Sequence, residues 1–237
     1  MENAPEIKIN LRTENPANLV LIENFNGTIN KKIWDLSRSR TDRRIFTKID
    51  GKEAIGITLE KGDKKEGITE RNEISEKKDI LIPVDNSIWY GFSVYFPSDF
   101  AIVKNRLVFA QWKQKTERDE SPFLSFRYVD GKLIFQVNHD DQRVKFEKKI
   151  DLRGSWQDIL VNYKLGKDDS GFAKSWVNGS LFAEYEGKMG YEAPRDLTYF
   201  KMGLYRDELE TPQAIYIGSF GRGPTKESVL PVLNKRS

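Results

Sequence analysis

Four polar side chains recur at positions that a β-strand would turn to one side. Arg71 lies in Glu70-Arg71-Asn72-Glu73-Ile74, and Gln111 in Ala110-Gln111-Trp112-Lys113. Lys201 and Tyr205 share the segment Tyr199-Phe200-Lys201-Met202-Gly203-Leu204-Tyr205. Side chains alternate across a strand, so Arg71 falls with Thr69, Glu73 and Ser75, opposite Ile68, Asn72 and Ile74. Glu70 fits poorly on that second side. Lys201 falls with Tyr199, Gly203 and Tyr205, and Gln111 with Phe109 and Lys113, opposite Val108, Ala110 and Trp112. A hairpin adds Ser125, Arg127, Gln136 and Asn138 on one face, against Phe126, Tyr128, Leu133, Phe135 and Val137 on the other. Guanidinium, ammonium and amide groups donate hydrogen bonds, and tyrosine rings lie between them. That combination suits a polar, anionic sugar chain. The bland alternative, an ordinary exterior face, accounts for any one of these residues alone.

The elements that must position them read as strands. Trp89 to Phe96 ends at Pro97, Leu107 to Lys113 is a second apolar run, and Val144 to Ile150 and Ile159 to Leu165 follow the first hairpin. Asp130-Gly131 and Asn178-Gly179 are the turn dipeptides that tight hairpins prefer. They join Ser125–Val129 to Lys132–Val137 and Ala173–Val177 to Ser180–Tyr185. Tyr199 to Tyr205 and Ala214 to Ile217 close the series, and the best helix candidate is a short piece around Asn30 to Leu36. Short strands separated by turn signals predict an all-β antiparallel sandwich. A single domain over residues 1–237 is expected, with its core at about residues 20–222. The absence of cysteine rules out disulfides and cysteine-based zinc sites or nucleophiles. Lys plus Arg number 39 and Asp plus Glu 36, interleaved to a net charge of +3, so no basic stripe marks a nucleic-acid partner. No run reaches the roughly 18 apolar residues of a membrane span.

Three of these segments together resemble the jelly-roll polysaccharide lyases, the group containing alginate lyases, glucuronan lyases and heparin lyase I. Arg71-Asn72-Glu73 is similar to the Arg-x-Glu strand of the alginate lyases, and Gln111-Trp112-Lys113 to their Gln-x-His strand. Tyr199 to Tyr205 matches their Tyr-Phe-Lys-x-Gly-x-Tyr strand. Trp89 to Pro97 and Trp176-Val177-Asn178-Gly179 resemble the glucuronan and heparin lyase-like branch. The resemblance implies a concanavalin A-like jelly roll with a concave cleft, and β-elimination at a uronic acid to leave 4,5-unsaturated ends. That reaction needs donors that neutralise the uronate carboxylate, a base for the C5 proton and an acid for the leaving O4. Carried over, Arg71 and Gln111 address the carboxylate, and Tyr205 protonates O4 and is a candidate base. Lys201 contacts substrate or assists the phenol, and Glu73 holds Arg71 in place or contacts substrate. Lys113, Arg127, Gln136, Asn138 and Tyr199 complete the expected substrate-binding set. The expected partner is an anionic polysaccharide and the expected state a monomer. The expected location is secreted or periplasmic, although Met1-Glu2-Asn3-Ala4-Pro5 lacks a signal peptide's basic-then-apolar build.

The pattern departs from the family at two places. Lys113 stands where the family has its catalytic histidine, and the single histidine is His139. Three assignments follow. His139 is the base, as its ordinary pKa near ~6.5 permits; or Tyr205 serves as base and acid, with Lys113 helping to neutralise the carboxylate; or the site only binds glycan. A second alginate-lyase arginine falls at Ser75, which favours glucuronan or a glycosaminoglycan-like chain over alginate. No cofactor or catalytic metal is expected. The convex-side calcium of such folds lacks its last-strand carboxylate in Ile215-Tyr216-Ile217-Gly218-Ser219, leaving Glu23, Asn24 and backbone oxygens as donors. A glycoside hydrolase of the laminarinase-like type would need Glu-x-Asp-x-x-Glu, and Glu73-Ile74-Ser75-Glu76-Lys77-Lys78 lacks both the Asp and the final Glu. The alternative of a different class is a carbohydrate-binding protein without catalysis.

Overall fold

The computed structural model describes residues 15–233, apart from 38, 64–66, 84, 118–119, 167 and 193–196. In chain order the strands are β1 (Leu21–Glu23), β2 (Trp34–Asp35), β3 (Arg44–Ile49), β4 (Lys52–Leu59), β5 (Thr69–Glu76), β6 (Ile82–Pro83), β7 (Ile88–Tyr95) and β8 (Leu107–Gln114). Then follow β9 (Leu124–Val129), β10 (Lys132–His139), β11 (Gln142–Lys149), β12 (Trp156–Lys164), β13 (Phe172–Val177), β14 (Ser180–Glu186), β15 (Leu197–Asp207) and β16 (Gln213–Gly223). They form two antiparallel sheets. The front sheet runs β11-β10-β9-β8-β15-β5-β2 with β6 on β15; the back sheet runs β14-β13-β12-β7-β16-β4-β3 with β1 on β16. Asp130-Gly131 and Asn178-Gly179 take the positive φ angles that their hairpin turns require.

The core forms where the inward faces meet. Phe126, Tyr128, Leu133, Phe135 and Val137 are fully buried, as alternation requires. Tyr90 and Phe92 of the back sheet pack on Trp112 and Phe200 of the front, with ring centroids 5.6 Å apart in the Tyr90–Trp112 and Phe92–Phe200 pairs. The expected helix at Asn30 to Leu36 is replaced by one turn running into β2. Trp34 instead pairs with Glu76 of β5 and buries its ring against Phe25 and Phe220. Long-range packing decides a segment too short to hold a helix by itself.

Two buried ion pairs explain the charges that alternation turns inward. Glu70 receives the Arg206 guanidinium at 3.0 Å, its neighbour across β5 and β15. Glu76 of the front sheet receives Arg222 of the back sheet at 2.7 Å. Its other oxygen accepts from the Phe200 N–H at 2.8 Å and the Tyr90 hydroxyl at 3.2 Å. Ile68, expected on the inward side, lies before β5 and is exposed.

Candidate active site

The front sheet brings the candidate residues into two rows. In one, Ser75, Lys201, Gln111, Ser125 and Gln136 stand opposite one another on β5, β15, β8, β9 and β10. In the other, Arg71, Tyr205, Val108 and Arg127 do the same on β5, β15, β8 and β9. The second row exists because simple alternation fails on β8. The β8–β9 register shifts between Val108 and Ala110, and that of β15–β8 between Met202 and Tyr205. Phe109 therefore turns into the core, 5.3 Å from Phe96 and 5.8 Å from Phe126 by ring centroids. Val108, expected beside Ala110 and Trp112, instead lines the recess at Tyr205. Bulges of this kind re-aim side chains beside functional sites.

Gly203 permits the close approach of β15 to β5. Its φ is +141°, and a Cβ there would lie 2.3 Å from the Asn72 carbonyl oxygen and 2.8 Å from the Glu73 Cα. Both neighbours are backbone and cannot swing aside. Gly203→Ala is expected to destabilise the fold by about 2–4 kcal/mol. The melting temperature should fall by roughly 4–16 °C for a domain of this size, and an unchanged melting curve would refute the contact.

Arg71, Gln111, Lys113, Arg127, Lys201 and Tyr205 line one recess of about 200 Å³. Arg106 and Arg143 also line it, and neither was singled out from the sequence. Arg143 alternates with the inward Val144 and Phe146 and could have been found by extending the face analysis into β11. Arg106 precedes β8 and carries no periodic signal. The Tyr205 ring has the Arg71 guanidinium 4.7 Å from its centroid and that of Arg106 at 5.6 Å. Arg106 Nη1 also donates to the Tyr205 hydroxyl at 3.3 Å and stands 3.4 Å from Asp207. Cations over a phenol face are attracted by its π charge. Burial, followed by repulsion from Arg106 and Arg143, lowers the Arg127 pKa to about 10.

The other expected residues have different surroundings. Glu73 is buried and accepts from the Gln111 side-chain amide, which it orients. Its second oxygen is buried without a hydrogen-bond partner. Gln136 donates to Asn138 at 2.8 Å, and Asn138 donates to the Pro122 carbonyl at 2.6 Å. Both are almost fully buried and hold the rim segment beside the recess. Tyr199 and Ser75 line an adjoining hollow of about 290 Å³ that shares Lys201 with the recess. His139 does not join the recess. It has the strand parity of Phe135 and Val137, which face the core, and it bridges to Gly190 with its Nδ1 buried. On that placement His139→Ala should keep turnover within about threefold of the parent, because His139 does not line the recess that holds Tyr205; a hundredfold loss would make it the candidate base. Glu23 uses its two oxygens to accept from the Phe25 and Asn30 backbone N–H groups at 3.0 and 2.7 Å. Among the described residues no three His, Cys, Asp or Glu side chains cluster as metal ligands, and no helix is long and apolar enough to cross a membrane.

Two antiparallel sheets with a polar, cation-rich recess on the front face place the protein in the jelly-roll sandwich class. Solved structures of that class superpose on it. Endo-β-1,4-glucuronan lyase from the fungus Trichoderma reesei matches with a TM-score of 0.67 at 14% identity, over 91% of this chain and 99% of that one. Alginate lyase A1-II′ of polysaccharide lyase family 7 gives 0.60 at 17% identity, over 77% and 83%. Alginate lyase Aly36B gives 0.54 at 13% identity, over 86% and 96%. No curated protein sequence matches. The family model described as Polysaccharide lyase matches residues 22–221. The chain belongs to that family and is a polysaccharide lyase.

Proposed function

We propose that the protein cleaves a uronic-acid-containing polysaccharide by β-elimination, leaving a 4,5-unsaturated uronate. The observation that carries this reading is the Tyr205 hydroxyl, set in a cationic recess with Arg71 over its ring and Arg106 bonded to its oxygen. The uronate carboxylate opposes loss of the adjacent C5 proton, so donors must cancel its charge as the enolate-like state develops. Gln111, Lys113 and Arg71 supply that neutralisation, with Glu73 fixing the Gln111 amide. Tyr205, acting as its phenolate, takes the C5 proton; the C5–H electron pair forms the C4–C5 double bond, the C4–O4 bond breaks, and the phenol so formed gives the proton to O4, which regenerates the phenolate.

One phenol can serve both transfers only when the C5 hydrogen and O4 project from the same face of the ring. They do so in D-glucuronate and D-mannuronate, and not in their C5 epimers. Ser75 in place of a second arginine supports a glucuronan or a glycosaminoglycan-like chain. Fold likeness to a glucuronan lyase and two alginate lyases supports a polyuronate. Such polymers are met outside the cytoplasm, which favours a secreted or periplasmic site of action.

A panel of polyuronates, followed by the ultraviolet absorbance of the unsaturated product, tests the reading. A D-glucuronate polymer should give the signal and an L-guluronate polymer should not. Tight binding of a polyuronate with no signal from any member would make this a carbohydrate-binding protein instead.

A further inference from the structure

The recess holds positive charge that the chemistry at Tyr205 does not use. Arg127 on β9 is separated from Tyr205 by Val108 of β8, two strand spacings or roughly 10 Å between backbones. Arg143 enters the same recess from β11. Among the described residues neither guanidinium has a carboxylate within ion-pair distance, and Arg127 donates from Nε to Ser125 Oγ at 3.2 Å. Asp207 is engaged by Arg106, and among the described residues Glu120 on the rim is the one acid lining the recess. Like charges gathered in a half-buried hollow repel one another, and this repulsion adds to the larger effect of burial in depressing the Arg127 pKa. Guanidinium groups with such surroundings suit a planar anion held by paired, charge-assisted hydrogen bonds.

We propose that Arg127 and Arg143 form a second carboxylate-binding point, which takes the acidic sugar next to the one cleaved. The enzyme then reads two successive uronates, with the small apolar Val108 as floor between them. This rests on the polyuronate reading above.

Calorimetry on the Tyr205→Phe protein with a saturated D-glucuronate tetrasaccharide separates the two ideas, since it needs no turnover. Adding Arg127→Gln or Arg143→Gln should weaken binding at least tenfold. Both effects should disappear with a tetrasaccharide whose carboxyl groups are reduced to alcohols. In the Tyr205 enzyme the same substitutions should raise KM at least tenfold on the D-glucuronate polymer and lower kcat less than threefold. Arg143 is exposed, so its variant will fold, and Arg127→Lys retains the charge if Arg127→Gln is unstable. Unchanged tetrasaccharide affinity in both glutamine variants would overturn the proposal, whatever the activity of the parent. Arginine-dependent binding of a sulfated chain but not of the unsulfated one would overturn the carboxylate assignment. Arginine-dependent binding without any unsaturated product would leave this site standing and remove the lyase reaction on these polymers.

Discussion

Tyr205→Phe should lower turnover by at least about 10³-fold while leaving polyuronate affinity within a few-fold. The substitution deletes one hydroxyl and keeps the ring that packs beneath the Arg71 and Arg106 guanidinium groups. General acid–base assistance contributes roughly 10²–10⁴-fold for one group, and in the proposed reaction a single group serves both proton transfers. The ground-state contacts proposed for Arg71, Gln111 and Lys113 stay in place, so the loss belongs in kcat. Product absorbance against time and calorimetric affinity, measured on one preparation, check the two halves of the expectation. Turnover within tenfold of the parent would take Tyr205 out of the reaction and direct attention to the lysines at 113 and 201. Equal loss of binding and turnover would mean that the hydroxyl holds substrate rather than moving protons.

The second large effect is on stability. Arg222 donates to Glu76 at 2.7 Å, to the Ile80 carbonyl at 2.8 Å and to the Pro16 carbonyl at 3.1 Å. Both charged side chains have no exposed surface. Arg222→Met leaves the Glu76 carboxylate in an apolar interior without its cation, a change that costs about 3–5 kcal/mol. At roughly 2–4 °C per kcal/mol for a domain of this length, the melting temperature should fall by roughly 6–20 °C. Adding Glu76→Gln should restore part of the loss, because a neutral amide still accepts from the Phe200 N–H and leaves no buried charge. A double variant less stable than Arg222→Met would show that the carboxylate matters for more than its pairing. A shift under 2 °C in the single variant would show that the two sheets do not depend on this link.

Much of the framework is legible in the sequence because period-two patterns are local. The hairpins at Asp130-Gly131 and Asn178-Gly179 and the inward series from Phe126 to Val137 need only neighbouring residues to be recognised. What local patterning leaves unexplained has non-local causes. Glu70 and Glu76 turn inward because Arg206 and Arg222 wait there, about 140 residues later in the chain. Val108 and Phe109 exchange faces through bulges that depend on how β9 and β15 pair with β8. For the site, Arg71, Gln111, Lys113, Lys201 and Tyr205 were within reach because each sits in a motif with a definite face. His139 follows the outward-reading Asn138, but adjacent residues on a strand point opposite ways, and it does not line the recess. Trp34 read as helical because two strand residues are too few to show a period.

The two outermost strands at opposite ends of the sandwich differ in a way that bears on handling the protein. β11 ends the front sheet with Arg143, Lys145, Glu147, Lys148 and Lys149, and charge at five of its eight positions discourages another chain from adding to its open backbone. β3 ends the back sheet with Ile45 and Phe46, which are 53% and 42% exposed. Aggregation under heat or at high concentration will therefore begin at the β3 rim, and a lysine at either of those two positions is the natural gatekeeper to install there.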